Sequence, residues 1–209
     1  MSSEAQNKFT QGRHRYKWAH VWDVPTRLFH WLLVICVGAA WYIGENRDFT
    51  NIDWHFYLGY TVGGLVVFRL LWGIVGPSPV RISSLFHGPM SIVRYAATVF
   101  QRSPSGTPGH NPLGSLSVIA LLVSLIVQVV TGLFAYDDGL FSGGPLHDMV
   151  SEAVVLQMTS IHGINAKILL ALVSLHIFAA LFYLFWKREN IIIAMITGRK
   201  LIRTDGDDV

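Results

Sequence analysis

Apolar residues are gathered into four long stretches that are separated by polar segments. The stretches cover residues 28–44, 54–75, 113–135 and 161–186, without the alternation of apolar and polar positions that marks a barrel strand. A helix needs about 20 apolar residues to cross a bilayer. Because backbone N–H and C=O groups find no partners in lipid, continuous stretches of this length predict transmembrane helices. The sequence therefore predicts an all-α integral membrane protein, a four-helix bundle.

Composition supports this prediction and removes several function classes. Of the 209 residues, 52% are hydrophobic and only 14% charged, against about 25% charged in ordinary soluble domains. The single cysteine, Cys36, lies inside the first stretch, so there is no disulfide framework and no CxxC metal site. Dinucleotide, P-loop and covalent haem attachment motifs are absent from the sequence. The net charge of +3 is better explained by membrane topology than by a nucleic-acid partner.

Basic residues are distributed very unevenly between the segments that flank the apolar stretches. With four spans, both tails and the segment 76–112 share one side, which holds 13 of the 16 Lys and Arg residues, whereas the other side holds one. The positive-inside rule then predicts that both termini and the segment 76–112 lie in the cytoplasm. We expect a flexible N-terminal tail over residues 1–20, one domain over 21–190 with spans near 25–44, 54–75, 113–135 and 161–186, and a C-terminal tail over 191–209.

Shorter signals predict two further elements. Asp23 followed by Pro25 is typical of a helix start, because a capping carboxylate precedes a proline in the first turn. Residues 89–100 predict a short interfacial helix with Arg94 facing lipid headgroups. His87 and His110, in the same segment, are expected to be solvated.

Four of the nine histidines lie within or at the edge of apolar stretches, where an ionisable side chain is costly and indicates function. They are His30, His55, His162 and His176. His162 and His176 are 14 residues apart, which gives about 21 Å of helix rise and nearly the same helix face. His55 can then face His162, and His30 can face His176. Two facing histidines at each of two depths are the geometry of two six-coordinate haems in a bundle.

Other residues near the histidines are candidates for cofactor binding. Gly59 and Gly63 follow His55 on its face, where a porphyrin could approach the backbone, although they equally fit a helix–helix contact. Arg69 and Arg27 could neutralise haem propionates or anchor in headgroups. Lys167 could bind a propionate or a quinone oxygen near the outer haem, or extend toward the bilayer surface.

The residues taken together resemble a known family. Over residues 20–190 the chain is similar to the bacterial cytochrome b561 and nickel-hydrogenase cytochrome b family. The matching motifs are Val21–Trp31, His55–Tyr60, Arg69–Gly73, His110–Gly114, Gln128–Gly132 and Ile161–Gly163 with His176. The resemblance implies two haems b held by histidines on helices one, two and four, with the pairs His30/His176 and His55/His162.

The predicted function is electron transfer across the inner membrane between a periplasmic partner and the quinone pool. The partner would be a c-type cytochrome or a dehydrogenase or hydrogenase-like enzyme, and Lys167 or His110 could handle protons for quinone. An alternative is a stand-alone quinone-linked oxidoreductase with a small donor such as superoxide, which the acidic outer loops disfavour. A histidine-based transition-metal carrier is less well supported, because the four stretches contain no Asp or Glu.

Overall fold

The computed structural model describes residues 15–102, 107 and 109–204, so residues 1–14 and 205–209 of the two predicted tails lie outside the described residues. The described helices are α1 Val24–Glu45, α2 Ile52–Val75, α3 Pro89–Ala97, α4 Pro112–Phe134, α5 Glu152–Phe185 and α6 Ile191–Thr197. The strands are β1 Arg15–His20, β2 Tyr136–Asp137, β3 Ser142–Gly143 and β4 Arg199–Thr204. Helices α1, α2, α4 and α5 are long and apolar enough to cross a membrane.

Capping residues explain where two of the long helices begin. The Asp23 carboxylate accepts a hydrogen bond from the Thr26 amide at 3.2 Å, and Pro25 occupies the first turn of α1. Asn111 and Pro112 cap the start of α4 in the same way, and the Asn111 side-chain oxygen accepts a hydrogen bond from the Gly114 amide at 2.9 Å. The helix start predicted at Asp23 is therefore confirmed.

The longest helix begins earlier than the hydropathy pattern predicts. Helix α5 starts at Glu152, nine residues before the expected span at 161, and shortens the connection that follows α4. Polar residues such as Gln157 and Ser160 lower the hydropathy of this first part of the helix without opposing helix formation. Hydropathy marks the portion of a helix that can lie in lipid, and it does not mark the ends of the helix.

Residues 15–20 are not part of a flexible tail, which corrects the prediction for this part of the chain. They form β1, which pairs antiparallel with β4 from Arg15 opposite Thr204 to His20 opposite Arg199. The partner strand lies far away in sequence, so no local pattern identifies the pairing. We call the end of the bundle that carries this two-stranded sheet the terminal end, and the opposite one the far end.

An apolar cluster joins the four long helices. Its buried members are Cys36, Val62, Val66, Leu125 and Leu169. Helix α1 packs on α2, α2 on α4, and α4 on α5. On each helix these residues lie between the positions that face the two ends, so the cluster occupies the middle of the bundle.

Candidate cofactor site

The structure brings the four span histidines together as two pairs. His30 on α1 faces His176 on α5, with ring centroids 6.5 Å apart and ring planes at 49°. His55 on α2 faces His162 on α5, with centroids 6.2 Å apart and planes at 78°. The first pair lies toward the terminal end and the second toward the far end, and the apolar cluster lies between them.

Hydrogen bonds orient both rings of the far pair. His55 Nδ1 donates to the Ala40 carbonyl at 2.9 Å, and His162 Nδ1 donates to the Gln128 carbonyl at 3.1 Å. A histidine that donates through Nδ1 keeps its lone pair on Nε2 and holds a fixed ring orientation, as metal-binding histidines do. The Thr131 hydroxyl lies 3.2 Å from the same His162 nitrogen and adds a second contact.

A buried polar network fixes the helix face that carries His162. Asn165, one turn further along α5, donates to the Ser124 carbonyl at 2.9 Å and to the Gln128 side-chain oxygen at 2.7 Å. The Ser124 hydroxyl donates back to Asn165 at 3.1 Å. The Gln128 side-chain nitrogen lies 3.1 Å from His162 Nε2. Reasoning from the sequence missed this network, although Gln128 and Asn165 are the polar interruptions of two apolar stretches.

Glycines lie directly behind the rings of the far pair. A Cβ atom at Gly132 would lie 3.0 Å from His162 Cε1, and one at Gly44 would lie 3.1 Å from His55 Cε1. Both distances are closer than ordinary van der Waals contact. Each glycine therefore lets its helix approach the neighbouring histidine, and neither position was predicted to do so.

The glycines that were predicted, Gly59 and Gly63, have different surroundings. No heavy atom comes within 4 Å of a Cβ built at Gly59, so the backbone there borders open space one turn after His55. A Cβ at Gly63 would lie 3.1 Å from Val129 on α4. Gly63 thus serves the close approach of two helices, whereas Gly59 leaves room beside the far pair.

Buried polar atoms without a hydrogen-bond partner are concentrated around the terminal pair. Within the described part of the chain they are Thr26 Oγ1, Arg27 Nε, His30 Nδ1, Arg69 Nη1, His110 Nδ1 and Ser115 Oγ. Their residues belong to the first part of α1, the last part of α2 and the start of α4, which meet at the terminal end. Unpaired buried polar groups are rare and costly, so this cluster marks a place suited to a polar ligand.

The two predicted arginines both lie at this end. Arg69 is only 5% exposed and donates through Nη2 to the Val80 carbonyl at 3.0 Å. Arg27 donates through Nη1 to the Ile196 carbonyl in α6. Each guanidinium therefore holds a neighbouring segment with one nitrogen and keeps a buried nitrogen unpaired.

His110 is half-buried and its Nδ1 is shielded from solvent, which corrects the expectation that it is solvated. Its ring packs against Trp22 with centroids 4.7 Å apart. Burial, and then the positive charge of Arg69, lower the pKa of His110 to about 3, so the ring is neutral at physiological pH. His87 is half-buried, and its Nδ1 lies 3.2 Å from the Leu85 carbonyl.

Lys167 is exposed on the outer surface of α5, and the structure does not bring it to either pair. Five residues on a helix correspond to a rotation of about 140°, so Lys167 cannot share the face of His162. The buried Asn165 takes the inward position instead. The spacing of five residues between His162 and Lys167 is therefore enough to predict that the two side chains lie on different faces of the helix.

Comparison with known proteins agrees with the geometry. The family model described as prokaryotic cytochrome b561 matches residues 21–198. The chain is similar to a "Probable Ni/Fe-hydrogenase B-type cytochrome subunit" of Azotobacter chroococcum mcd 1, with 24% identity over 220 residues, covering 90% of this chain and 91% of the relative.

Two further relatives carry related names. A "Probable Ni/Fe-hydrogenase 1 B-type cytochrome subunit" of Escherichia coli (strain K12) is 24% identical over 143 residues, 57% of this chain and 60% of the relative. A "Probable Ni/Fe-hydrogenase B-type cytochrome subunit" of Rhodobacter capsulatus is 21% identical over 237 residues, 98% and 90% of the two chains. Because the family model covers most of the sequence, the predicted resemblance is confirmed, and the chain belongs to the prokaryotic cytochrome b561 family of multi-pass membrane b-type cytochromes.

Proposed function

We propose that this protein is a di-haem cytochrome b that carries electrons across the bacterial inner membrane between a periplasmic redox partner and the quinone pool. The observation that carries the proposal is the presence of two facing histidine pairs at two depths of one bundle. A b-type cytochrome binds haem b without a covalent attachment motif, in agreement with this sequence.

The spacing within each pair supports His30/His176 and His55/His162 as axial ligands. A histidine nitrogen lies about 2.0–2.1 Å from a bound transition metal and its ring centre about 1 Å further, so two imidazoles across one metal have ring centres about 6 Å apart. The observed separations are 6.5 and 6.2 Å. The donation from Nδ1 in His55 and His162 leaves Nε2 as the nitrogen that would bind iron, and in His162 the iron would replace the Gln128 side-chain nitrogen, which lies 3.1 Å from Nε2.

The polar surroundings of the terminal pair fit the carboxylates of a haem. Arg27 Nε and Arg69 Nη1 are donors without partners in the structure, and a guanidinium binds a carboxylate strongly. We therefore assign Arg69 and Arg27 to the propionates of the haem at this end. At the far end, Gly59 provides the open space that a flat macrocycle requires beside His55.

The chain's residues hold and insulate the cofactors. Bound haem supplies one-electron chemistry at its iron. With two histidines holding each iron, the protein would be suited to outer-sphere electron transfer. The apolar cluster of Cys36, Val62, Val66, Leu125 and Leu169 keeps water and other ligands out of the region between the pairs.

The direction of insertion and the partners follow from charge and from the relatives. The positive-inside rule supports a cytoplasmic position for the terminal end. The relatives are named as hydrogenase cytochrome subunits, so a hydrogenase-type enzyme is the proposed periplasmic partner and a basic c-type cytochrome the second candidate. His110, whose shielded Nδ1 has no hydrogen-bond partner in the described residues, is the proposed contact for quinone at the terminal end.

Haem content and reaction with quinone test the proposal together. Detergent-purified protein should contain about two haems b per chain, and His55→Ala and His30→Ala should each leave about one. The dithionite-reduced protein should be reoxidised by a short-chain quinone. A pyridine haemochrome assay and stopped-flow absorbance provide the two measurements.

Each result has a distinct meaning. One haem in the wild type would remove one of the two pairs, and absence of haem in cells supplied with haem would exclude the cytochrome function. Two haems without reoxidation by quinone would restrict the protein to electron transfer between proteins. Tyr57→Phe, an exposed position on α2 two residues from His55, is the control and should keep both haems.

A further inference from the structure

The segment around α3 exposes four large apolar side chains. Phe86, Met90, Val93 and Phe100 are 71%, 61%, 63% and 75% exposed. Met90, Val93 and Ala97 are spaced by three and four residues, so they share one side of the helix. Four large apolar side chains with this exposure indicate contact with a membrane or a protein partner.

The opposite side of α3 is fixed to the bundle. The Tyr95 hydroxyl lies 2.7 Å from the Tyr183 hydroxyl on α5, which also accepts a hydrogen bond of 3.0 Å from the Asn111 side chain at the start of α4. Burial and the bond to Tyr183 raise the pKa of Tyr95. Because this polar side points inward, the orientation of the apolar side toward the outside is determined by the fold.

Two arginines flank the apolar surface. Arg94 is exposed in the last turn of α3, one turn after Met90 and on the same side. Arg102 lies over the Trp186 ring, with its guanidinium carbon 4.6 Å from the ring centroid, and Trp186 donates to the Phe100 carbonyl at 2.8 Å. Residues 76–112 contain three arginines and no Asp or Glu. Among the described residues, neither Arg94 nor Arg102 forms an ion pair with a carboxylate.

The location of this surface indicates what covers it. It lies at the terminal end, where α4 begins and α5 ends, and therefore at the boundary of the bilayer. An exposed tryptophan such as Trp186 is typical of that boundary. A second copy would present the same arginines and would be repelled, whereas an anionic lipid leaflet offers acyl chains and phosphates together.

We propose that Phe86, Met90, Val93 and Phe100, with Arg94 and Arg102, form a binding face for anionic phospholipid, here called the α3 face. The apolar side chains enter the acyl region, and the two guanidinium groups contact lipid phosphates. Through Tyr95 and Tyr183, lipid on the α3 face also stabilises the ends of α4 and α5 near the terminal histidine pair. The inference depends on membrane insertion and is independent of the electron-transfer partners.

Lipid selectivity tests the role of the arginines. The haem-loaded full-length protein is placed in nanodiscs of equimolar phosphatidylglycerol and phosphatidylcholine, and the lipids retained on release are counted by native mass spectrometry. Arg94→Gln and Arg102→Gln should each lower the preference for phosphatidylglycerol about fivefold, because one surface arginine contributes about 1 kcal/mol. Arg47→Gln, an exposed arginine at the far end, is the control and should leave the preference unchanged. An unchanged preference in the α3 variants, or an equal fall in the control, would overturn the proposal.

Immersion of the apolar side is tested separately. In a Cys36→Ser background, a fluorophore on Met90→Cys should be quenched by lipids that carry a nitroxide on the acyl chain. The same fluorophore on Ser83→Cys, exposed in the same segment, should be quenched much less. Equal quenching at the two positions would mean that the α3 face does not enter the bilayer.

Discussion

At the scale of single residues, the far histidine pair depends on two neighbouring glycines, which carry no Cβ atom. Gly132 and Gly44 allow the backbone of α4 and α1 to reach His162 and His55, and any Cβ at these positions would meet a ring carbon within 3.1 Å. Interiors are packed closely enough that such overlaps displace the neighbouring group. The orientation of each histidine ring in the far pair is therefore set partly by a neighbouring helix.

This packing gives a prediction for Gly132. Gly132→Leu should displace the His162 ring and lower the haem content from about two to about one per chain, since a displaced ligand loses its metal. Gly132→Ala should retain both haems, because the neighbouring ring needs to move by only a few tenths of an ångström. The pyridine haemochrome assay measures both variants.

Gly163→Leu is the matched control for this change. Gly163 follows His162 directly, but it is exposed, and a Cβ there has no heavy atom within 4 Å. The same increase in side-chain size should therefore leave the haem content unchanged. If Gly163→Leu lost haem as Gly132→Leu does, helix propensity or insertion would explain the result, and packing against the ring would not.

At the scale of elements, the terminal end is closed by short segments from both ends of the chain. The amides of Val21 and Trp22 donate to the Gly198 carbonyl at 2.8 and 3.2 Å. Gly198 ends α6 with φ of +78°, a left-handed conformation that favours glycine. A Cβ at this residue would lie 2.5 Å from the Trp22 carbonyl oxygen. Helix α6 and the sheet of β1 and β4 therefore join at a position that requires glycine.

Replacing Gly198 tests this closure. Gly198→Ala should destabilise the terminal end by about 1–3 kcal/mol, because it adds both backbone strain and a clash with backbone. Hydrogen exchange of the Val21 and Trp22 amides should accelerate while amides in the middle of α4 stay protected. Gly88→Ala, at a glycine with negative φ and open surroundings, should change neither. If the Val21 and Trp22 amides exchanged at the same rate in Gly198→Ala, their contact with Gly198 would not be what holds α6 to the start of the chain.

At the scale of the whole molecule, charge separates the two ends of the bundle. The terminal end carries most of the basic residues, whereas at the far end the Arg47 guanidinium is paired with Asp137 at 2.6 Å and carboxylates such as Asp138 and Asp148 are exposed. That ion pair lowers the pKa of Asp137. The far end is thus an acidic surface above the His55/His162 pair, suited to a basic partner.

The proposed orientation can be tested with single cysteines. In a Cys36→Ser background, Thr50→Cys at the far end should react with a membrane-impermeant maleimide added to intact spheroplasts. Ser83→Cys at the terminal end should react only after the cells are opened, because both termini are proposed to be cytoplasmic. Both positions are exposed and carry small polar side chains, so their reactivities are comparable. The reverse labelling pattern would contradict the proposed topology.

The sequence by itself determined the four long helices and the common helix face of His162 and His176, because both depend on periodic features along one chain. Continuous apolar stretches predict spans whatever their neighbours, and 14 residues between His162 and His176 fix a common helix face. The same periodicity also excludes Lys167 from that face. These properties need no knowledge of which helices touch.

Tertiary structure alone decided the features that depend on residues far apart in the chain. His110 is partly shielded from solvent because Trp22 packs on it, and residues 15–20 form a strand because β4 supplies their backbone partners. Gly132 and Gly44 became important only when a histidine from another helix lay against them. Packing joins positions that no sequence period relates, and it therefore determines the surroundings of the site, whereas the sequence pattern indicates its histidines.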